Sequence, residues 1–268
     1  HTENKAKSSG KSFISFSGIV NEAIGTFAGF VSSQALIQGV GRAVNFLKDT
    51  VLGFDSEMTE SLAIMGTVSA SVRNELEMTA RKTAVDYNAA VADTASAYYF
   101  LISAGYDVAT SMKALPVTTA FAKAGMIDLE TATSFAADAQ SAMGLKSDDA
   151  SENLVQLTRI TDVLTKANID ANGSVEDFAK ALTTKAAAAS RLAGISLEET
   201  TGVLEAFSSQ GLKGKRAGEA YAIVLRDLMS KARENKPAFD ALGVSVYDAS
   251  GAFSGWAPIV GQIEKSLD

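Results

Sequence analysis

"SSQGLKGKRAGEAYAIVLRDL" runs from Ser208 to Leu228. Gly211, Gly214 and Gly218 are interleaved there with Lys213, Lys215 and Arg216, and a smooth helical pattern follows. Two readings compete: a phosphate-cradling loop that feeds a helix, or a junction between packed helices. A phosphate loop needs two glycines separated by four residues, then Lys, then Ser or Thr to reach magnesium. Here Lys215 is followed by Arg216, only Leu212 and Lys213 separate Gly211 from Gly214, and the preceding "LEETTGVLEAFSSQ" reads as helix rather than strand. The dinucleotide fingerprint also fails, because no G-x-G precedes a third glycine at its spacing. What remains is a helix ending near Gly211, a tight turn at Gly214 and a second helix. Ala217 and Gly218 are small residues near its start, where another element can come close.

The rest of the composition agrees with packed helices. Of 268 residues, 47% are hydrophobic and only 7% aromatic, with alanine filling many apolar positions. Alanine is the best helix former and permits close helix approach. Prolines occur only at Pro116, Pro237 and Pro258, which leaves room for long helices. The predicted class is all-α: a compact multi-helix region of repeated helical hairpins, with a small β-hairpin expected near the C-terminal end.

Chemistry is constrained as sharply. With 31 acids against 24 lysines and arginines the formal charge is −7, so general or sequence-specific nucleic-acid binding is not expected. There is no cysteine, which excludes disulfides, thiolate metal sites and cysteine nucleophiles. The single histidine is His1, which removes triads and histidine general bases. The paired acids Glu198 and Glu199 fit the first turn of a helix, where they complement its dipole. No catalytic residue, metal site or cofactor is therefore expected. The chain lacks an initiator Met and ends in the helical pattern "IVGQIEKSLD", so it reads as a piece of a longer protein or a processed product.

Three regions are expected. Residues 1–12 form a polar lead. Residues 13–53 form a glycine-rich amphipathic segment, with Val20, Ile24, Phe27 and Val31 on one stripe and Val40, Val44, Leu47 and Val51 on another. Within it Ala23–Gly41 carries no charge, close to the length that crosses a bilayer. Gly25 and Gly29, and Ala35 and Gly39, stand four apart, a spacing that lets helices approach in water or in lipid. Ser32, Ser33, Gln34 and Gln38 interrupt the run and favour a packed helix over a membrane span. Residues 54–268 form the helical region proper.

In that region Gly105 suits a left-handed helix end. Asp128, Ser174 and Ser196 read as N-caps, with Asp177 and Glu199 at the capping-box spacing. Pro116 is expected to begin a helix, and so is Pro258. "KAGMIDLETATSFAADAQSAMGL" from Lys123 is echoed by "LAGISLEETTGVLEAFSSQGL" from Leu192, with a partial third copy from Ser103. Such echoes suggest repeated hairpins. Val244 and Val246 alternate before a turn at Asp248–Gly251, which is the expected hairpin.

The opening stretch also carries a resemblance. Its helix, Gly-x-x-Gly turn, Ala-Gly pair and helix ending near Arg and Leu resemble the core region of phage tail tape measure proteins. Gly211, Gly214, Ala217, Gly218, Arg226 and Leu228 stand at the matching positions. "GFDSEMTESLAIMGTVSA", "FLISAGYD", "LPVTTAFAKAGMIDLETA", "SVEDFAKAL" and "ALGVSVYDASGAF" resemble further blocks in the same order. The resemblance runs from about Phe54 to Phe253 and departs from the pattern at Lys215 and Arg216.

The resemblance implies a structural virion protein. Such a protein lies in the tail lumen, sets tail length, nucleates the tube and leaves ahead of the DNA. Implied partners are further copies of itself, tube and tail-tip or baseplate proteins, tail-assembly chaperones and the host membrane on ejection. The alternative is a membrane-active helical protein forming a pore, resting on Ala23–Gly41. Charge adds candidate contacts between copies: Phe121–Glu152 holds six acids and two bases, whereas Gly211–Lys236 holds seven bases and three acids.

Overall fold

The structure is a computed structural model that describes residues 53–267. The chain divides into two units, His1–Asp55 and Ser56–Asp268, and the second is the helical body. The polar lead, the run Ala23–Gly41 and its small residues Gly25, Gly29, Ala35 and Gly39 lie outside the described residues.

Helices follow one another along the chain from residue 53. They are α1 (residues 53–65), α2 (Ala70–Asp86), α3 (Val91–Ser103), α4 (Val108–Gly125), α5 (Leu129–Ala142) and α6 (Ala150–Asp170). Next, α7 (Val175–Ala181), a π-turn (Leu182–Ala186) and α8 (Ala187–Ala193) form one continuous rod. The chain then makes α9 (Leu197–Ser209), α10 (Gly214–Glu234), the short α11 (Lys236–Ala241) and α12 (Trp256–Leu267). Among the described residues there is no strand. The expected hairpin reduces to one antiparallel bridge, Tyr247 to Phe253.

A local device makes the succession of helices. A left-handed residue ends one helix, and two positions later an N-cap starts the next. Gly105 precedes Asp107, Met126 precedes Asp128, and Gly194 precedes Ser196. Asp107 accepts from Thr110 N at 2.7 Å, Asp128 from Thr131 N at 2.7 Å and Ser196 from Glu199 N at 3.2 Å. Each cap satisfies an amide that the first helical turn leaves without a partner. At Ser174 the full capping box with Asp177 is present.

The sequence echo is a structural one. Met126 and Gly194 are both left-handed, Leu129 and Leu197 both open a helix, and Gly144 and Gly211 both close it with positive φ. The preceding rods match as well: Lys113-Ala114-Leu115 and Lys180-Ala181-Leu182 lie equally far from their caps Asp107 and Ser174. α4 packs on α6 as the α7–α8 rod packs on α10, and α6 and α10 each have 21 residues. The rod Val175–Ala193 is one residue longer than α4, and it alone contains a π-turn. A π-turn is how a helix absorbs one extra residue while both flanks keep their faces.

One boundary differs from the sequence expectation. Pro116 does not start a helix but sits inside α4. Proline there removes an internal hydrogen bond. The helix passes through because Ala114, Leu115, Thr118 and Thr119 around it are all buried, and packing outweighs the local penalty. The left-handed position after α4 is Met126, at φ 52°, rather than a glycine. Gly125 is small for another reason: a Cβ on it would stand 3.0 Å from Val175 Cγ2.

The core is built from alanines and hydroxyls as much as from large side chains. Ala95, Ala97, Ala114, Ala132, Ala136, Ala139 and Ala167 are buried among Leu76, Tyr98, Leu101, Leu157, Ile160 and Leu164. Two buried threonines of the core return their protons to their own helices: Thr119 donates to Leu115 O and Thr133 to Leu129 O, each at 2.7 Å. Such back-bonding lets a hydroxyl sit in an apolar interface without leaving a polar group unpaired.

Met126 is 92% exposed, so its side chain has little to lose. A non-glycine residue in the left-handed region costs roughly 1–2 kcal/mol. Met126→Gly is therefore expected to stabilise the protein by about 1 kcal/mol, read as a higher urea midpoint at unchanged slope. An unchanged or lower midpoint contradicts this account of the turn.

Candidate functional site

The Gly-x-x-Gly stretch is the place where three helices meet. α9 ends into Gly211 at φ 83°, and α10 begins at Gly214 at φ 57° behind Lys213, whose side chain makes no cap. Four residues of α10 then face inward in sequence: Gly214, Ala217, Gly218 and Tyr221 are all buried. A Cβ on Gly218 would stand 3.0 Å from Ala181 C and 3.1 Å from its Cα, and closer still to its carbonyl oxygen. Backbone therefore rests on backbone, at the last residue before the π-turn. Lys215 and Arg216 point the other way and are exposed.

Next to this contact lies a buried chain of hydrogen bonds. Trp256 Nε1 donates to Tyr221 Oη at 3.1 Å, and Tyr221 Oη lies 2.7 Å from Ser190 Oγ. Ser190 Oγ lies 2.6 Å from Thr200 Oγ1, which is 2.7 Å from Ser196 O. A carbonyl only accepts, so the single proton of Thr200 is best used on Ser196 O. Ser190 then donates to Thr200, Tyr221 donates to Ser190, and every hydroxyl is satisfied once in each role. This chain ties α8, α9, α10 and α12 together. Ser190 reaches it because the π-turn sets the phase of α8.

The paired acids Glu198 and Glu199 are placed by the cap at Ser196 but serve other helices. Glu198 receives two bonds from Arg159 on α6, at 2.6 Å from Nε and 2.5 Å from Nη2. That guanidinium holds the Glu198 carboxyl below its ordinary range. Glu199 accepts from the backbone N–H of Trp256 and so caps α12 from a distance. These two roles, with Ser190, Thr200, Arg159 and Trp256, were not marked by the sequence, since each is a contact between distant segments.

The remaining signature residues are spread along α10. Arg226 is exposed and pairs with its neighbour Asp227 at 2.8 Å. Leu228 is half-buried against a small cluster of Ala232, Val244, Val246 and Ile259. In the turn beyond it, Asp248 accepts from Ser250 N at 2.8 Å and Ala252 N at 3.0 Å. The Ser250 hydroxyl, with these amides, keeps the Asp248 carboxyl below its usual range.

Two open clefts accompany these helices. One of about 510 Å³ is lined by Tyr106, Asp107, Lys146, Asp148 and Asn153, and another of about 370 Å³ by Glu57, Glu60, Asp93, Tyr99 and Glu130. Among the described residues no three His, Cys, Asp or Glu side chains are grouped to hold a metal ion. Nor is any described helix long and apolar enough to cross a membrane.

The family described as phage-related minor tail protein matches residues 77–268 of the chain. The chain belongs to that family. It is 29% identical over 203 residues to the tape measure protein of Pneumococcus phage Dp-1, which covers 74% of this chain and 16% of that protein. It is 28% identical over 199 residues to the probable tape measure protein of Escherichia phage P2, covering 74% of this chain and 23% of that one. The chain thus spans less than a quarter of either relative's length. No solved structure matches it.

The junction makes opposite demands on neighbouring residues. Gly218→Ala places a methyl against backbone that cannot move aside, at an expected cost of about 1–3 kcal/mol. Lys215→Ala, on an exposed turn, is expected to stay within about 0.5 kcal/mol of the parent. Urea midpoints of the two variants decide the point. A Gly218→Ala protein as stable as the parent removes the backbone contact from the account.

Proposed function

We propose that this chain is the compact helical region of a tail tape measure protein, acting where the tube is initiated or anchored rather than as the ruler itself. The observation that carries the reading is the match to two tape measure proteins, each over about three quarters of the chain. Geometry supports the division of labour. The longest described helices have 21 residues, which at 1.5 Å per residue is roughly 30 Å. A body of such short rods, joined by tight turns, is folded back on itself and cannot measure a tail.

In this reading the whole tape measure protein helps set tail length, nucleates the tube and leaves ahead of the DNA. Its partners are further copies, tube and tail-tip or baseplate proteins and assembly chaperones, and on ejection the host membrane. Copies match the tail's symmetry in full or in part. The acidic segment Phe121–Glu152 and the basic segment Gly211–Lys236 supply candidate contacts.

The test uses a phage whose tape measure protein contains this region. Gly218→Leu, which prevents α10 from seating, is expected to give heads without tails or tubes of unregulated length in electron micrographs. Lys215→Ala should leave tail number and length unchanged. Normal tails on the Gly218→Leu phage contradict the proposal.

A further inference from the structure

The described C-terminal residues are held differently from the rest of the second unit. α10 ends at Glu234, and Asn235 leaves the helical region at φ −120° and ψ 35°. α11 buries no residue at all, and its C-cap Leu242 is 59% exposed. Across residues 256–266, Ile259 is the only buried one. The cluster beneath is small: Ala232, Val244, Val246 and Ile259, with Leu228, Phe239, Tyr247 and Phe253 partly covered around it. Tyr247 adds one bond to Met229 O at 2.7 Å and receives Arg233 over its ring at 4.8 Å.

One joint ties this segment to the main body beyond α10. At Trp256 the indole N–H donates to Tyr221 Oη, and the rings of Tyr221 and Trp256 lie 5.8 Å apart. Phe253 closes the other side of the indole at 5.6 Å. At the same residue the backbone N–H is held by Glu199 of α9, and Gly255 at φ 94° lies against that carboxylate. Glu199 supplies an acceptor and a negative charge at the first turn of α12, where the helix leaves amides without intrahelical partners and its dipole is positive. The hold on α12 thus combines a cap borrowed from another helix with the rings around Trp256 and one buried apolar side chain, Ile259, a far smaller buried surface than that of the main core.

We propose that residues 235–267 form a hinged arm, latched to the helical body by Trp256 on Tyr221 and Glu199, which opens as a unit about Asn235 while the body stays folded. Opening uncovers Leu228 and Ala232 on α10 and frees the indole from Tyr221. Segments with few buried apolar contacts open at lower free energy than the core they rest on. The arm is a device of the fold alone and does not depend on the tail reading, so its test is made on the purified chain.

Trp256 is the only tryptophan, so its emission reports the latch alone. In a urea titration the fluorescence transition is expected at lower urea than the loss of the far-ultraviolet helix signal. Glu199→Ala removes the remote cap and should move the fluorescence midpoint lower while leaving the helix midpoint in place. Amide exchange adds a second reading: α12 should exchange about tenfold or more faster than Tyr221–Leu225, with Glu199→Ala accelerating α12 only. Tyr221→Phe lies in the main core and can shift both transitions, so Glu199→Ala is the deciding variant. Coincident transitions in the parent overturn the arm. So does a Glu199→Ala protein in which both midpoints move together or neither moves.

Discussion

Everything around the signature stretch depends on the backbone of α10 lying directly on the backbone of α7, at Gly218 and Ala181. A contact this close fixes the distance between two helices to within a few tenths of an ångström, because no side chain is there to adapt. It also fixes the rotation of α10, since only the face of Gly214, Ala217, Gly218 and Tyr221 is small enough at its N-terminal end and apolar beyond it. The π-turn begins at the next residue and lets the rod continue past the contact with one residue more than α4 has. Its two flanks then both face inward: Phe178, Ala179 and Ala181 before it, Ala187 and Ser190 after it.

From that phase the polar chain follows. Ser190 meets Tyr221 and Thr200 in a place where each hydroxyl has one donor and one acceptor neighbour, so three buried hydroxyls are tolerated. Tyr221 has a spare lone pair, and Trp256 uses it to hold α12. A close glycine contact thereby reaches the C-terminal helix through hydrogen bonds. The same economy appears in the threonines of α4 and α5, which spend their protons within their own helices and leave methyl groups for the interfaces.

The sequence was legible wherever a local rule decides. Ser174, Ser196 and Asp128 cap helices because capping depends on residues within one turn, and Gly105 ends α3 for the same reason. The echo of Lys123–Leu145 in Leu192–Leu212 survived because its turns are local too. It was illegible wherever packing decides. Pro116 follows a strong local rule and is overruled by buried neighbours on both sides. "LTTKA" carries no signal for a π-turn, which exists only because two longer segments must keep register. Glu199 looks like half of a capping box, yet it serves an amide 57 positions away. The pairing of Arg159 with Glu198 across 39 positions is equally silent in the sequence.

The π-turn is the point at which these constraints can be read most directly. In it the N–H of Ala187 donates to Leu182 O, five residues back. Scalar coupling through hydrogen bonds, measured by nuclear magnetic resonance on the labelled chain, identifies which carbonyl each amide uses. The π-turn requires a coupling from the Ala187 amide to the Leu182 carbonyl carbon. A coupling to Thr183 instead means an unbroken α-helix through this stretch, which shifts the face of α8, separates Ser190 from Tyr221 and contradicts the packing described for α10.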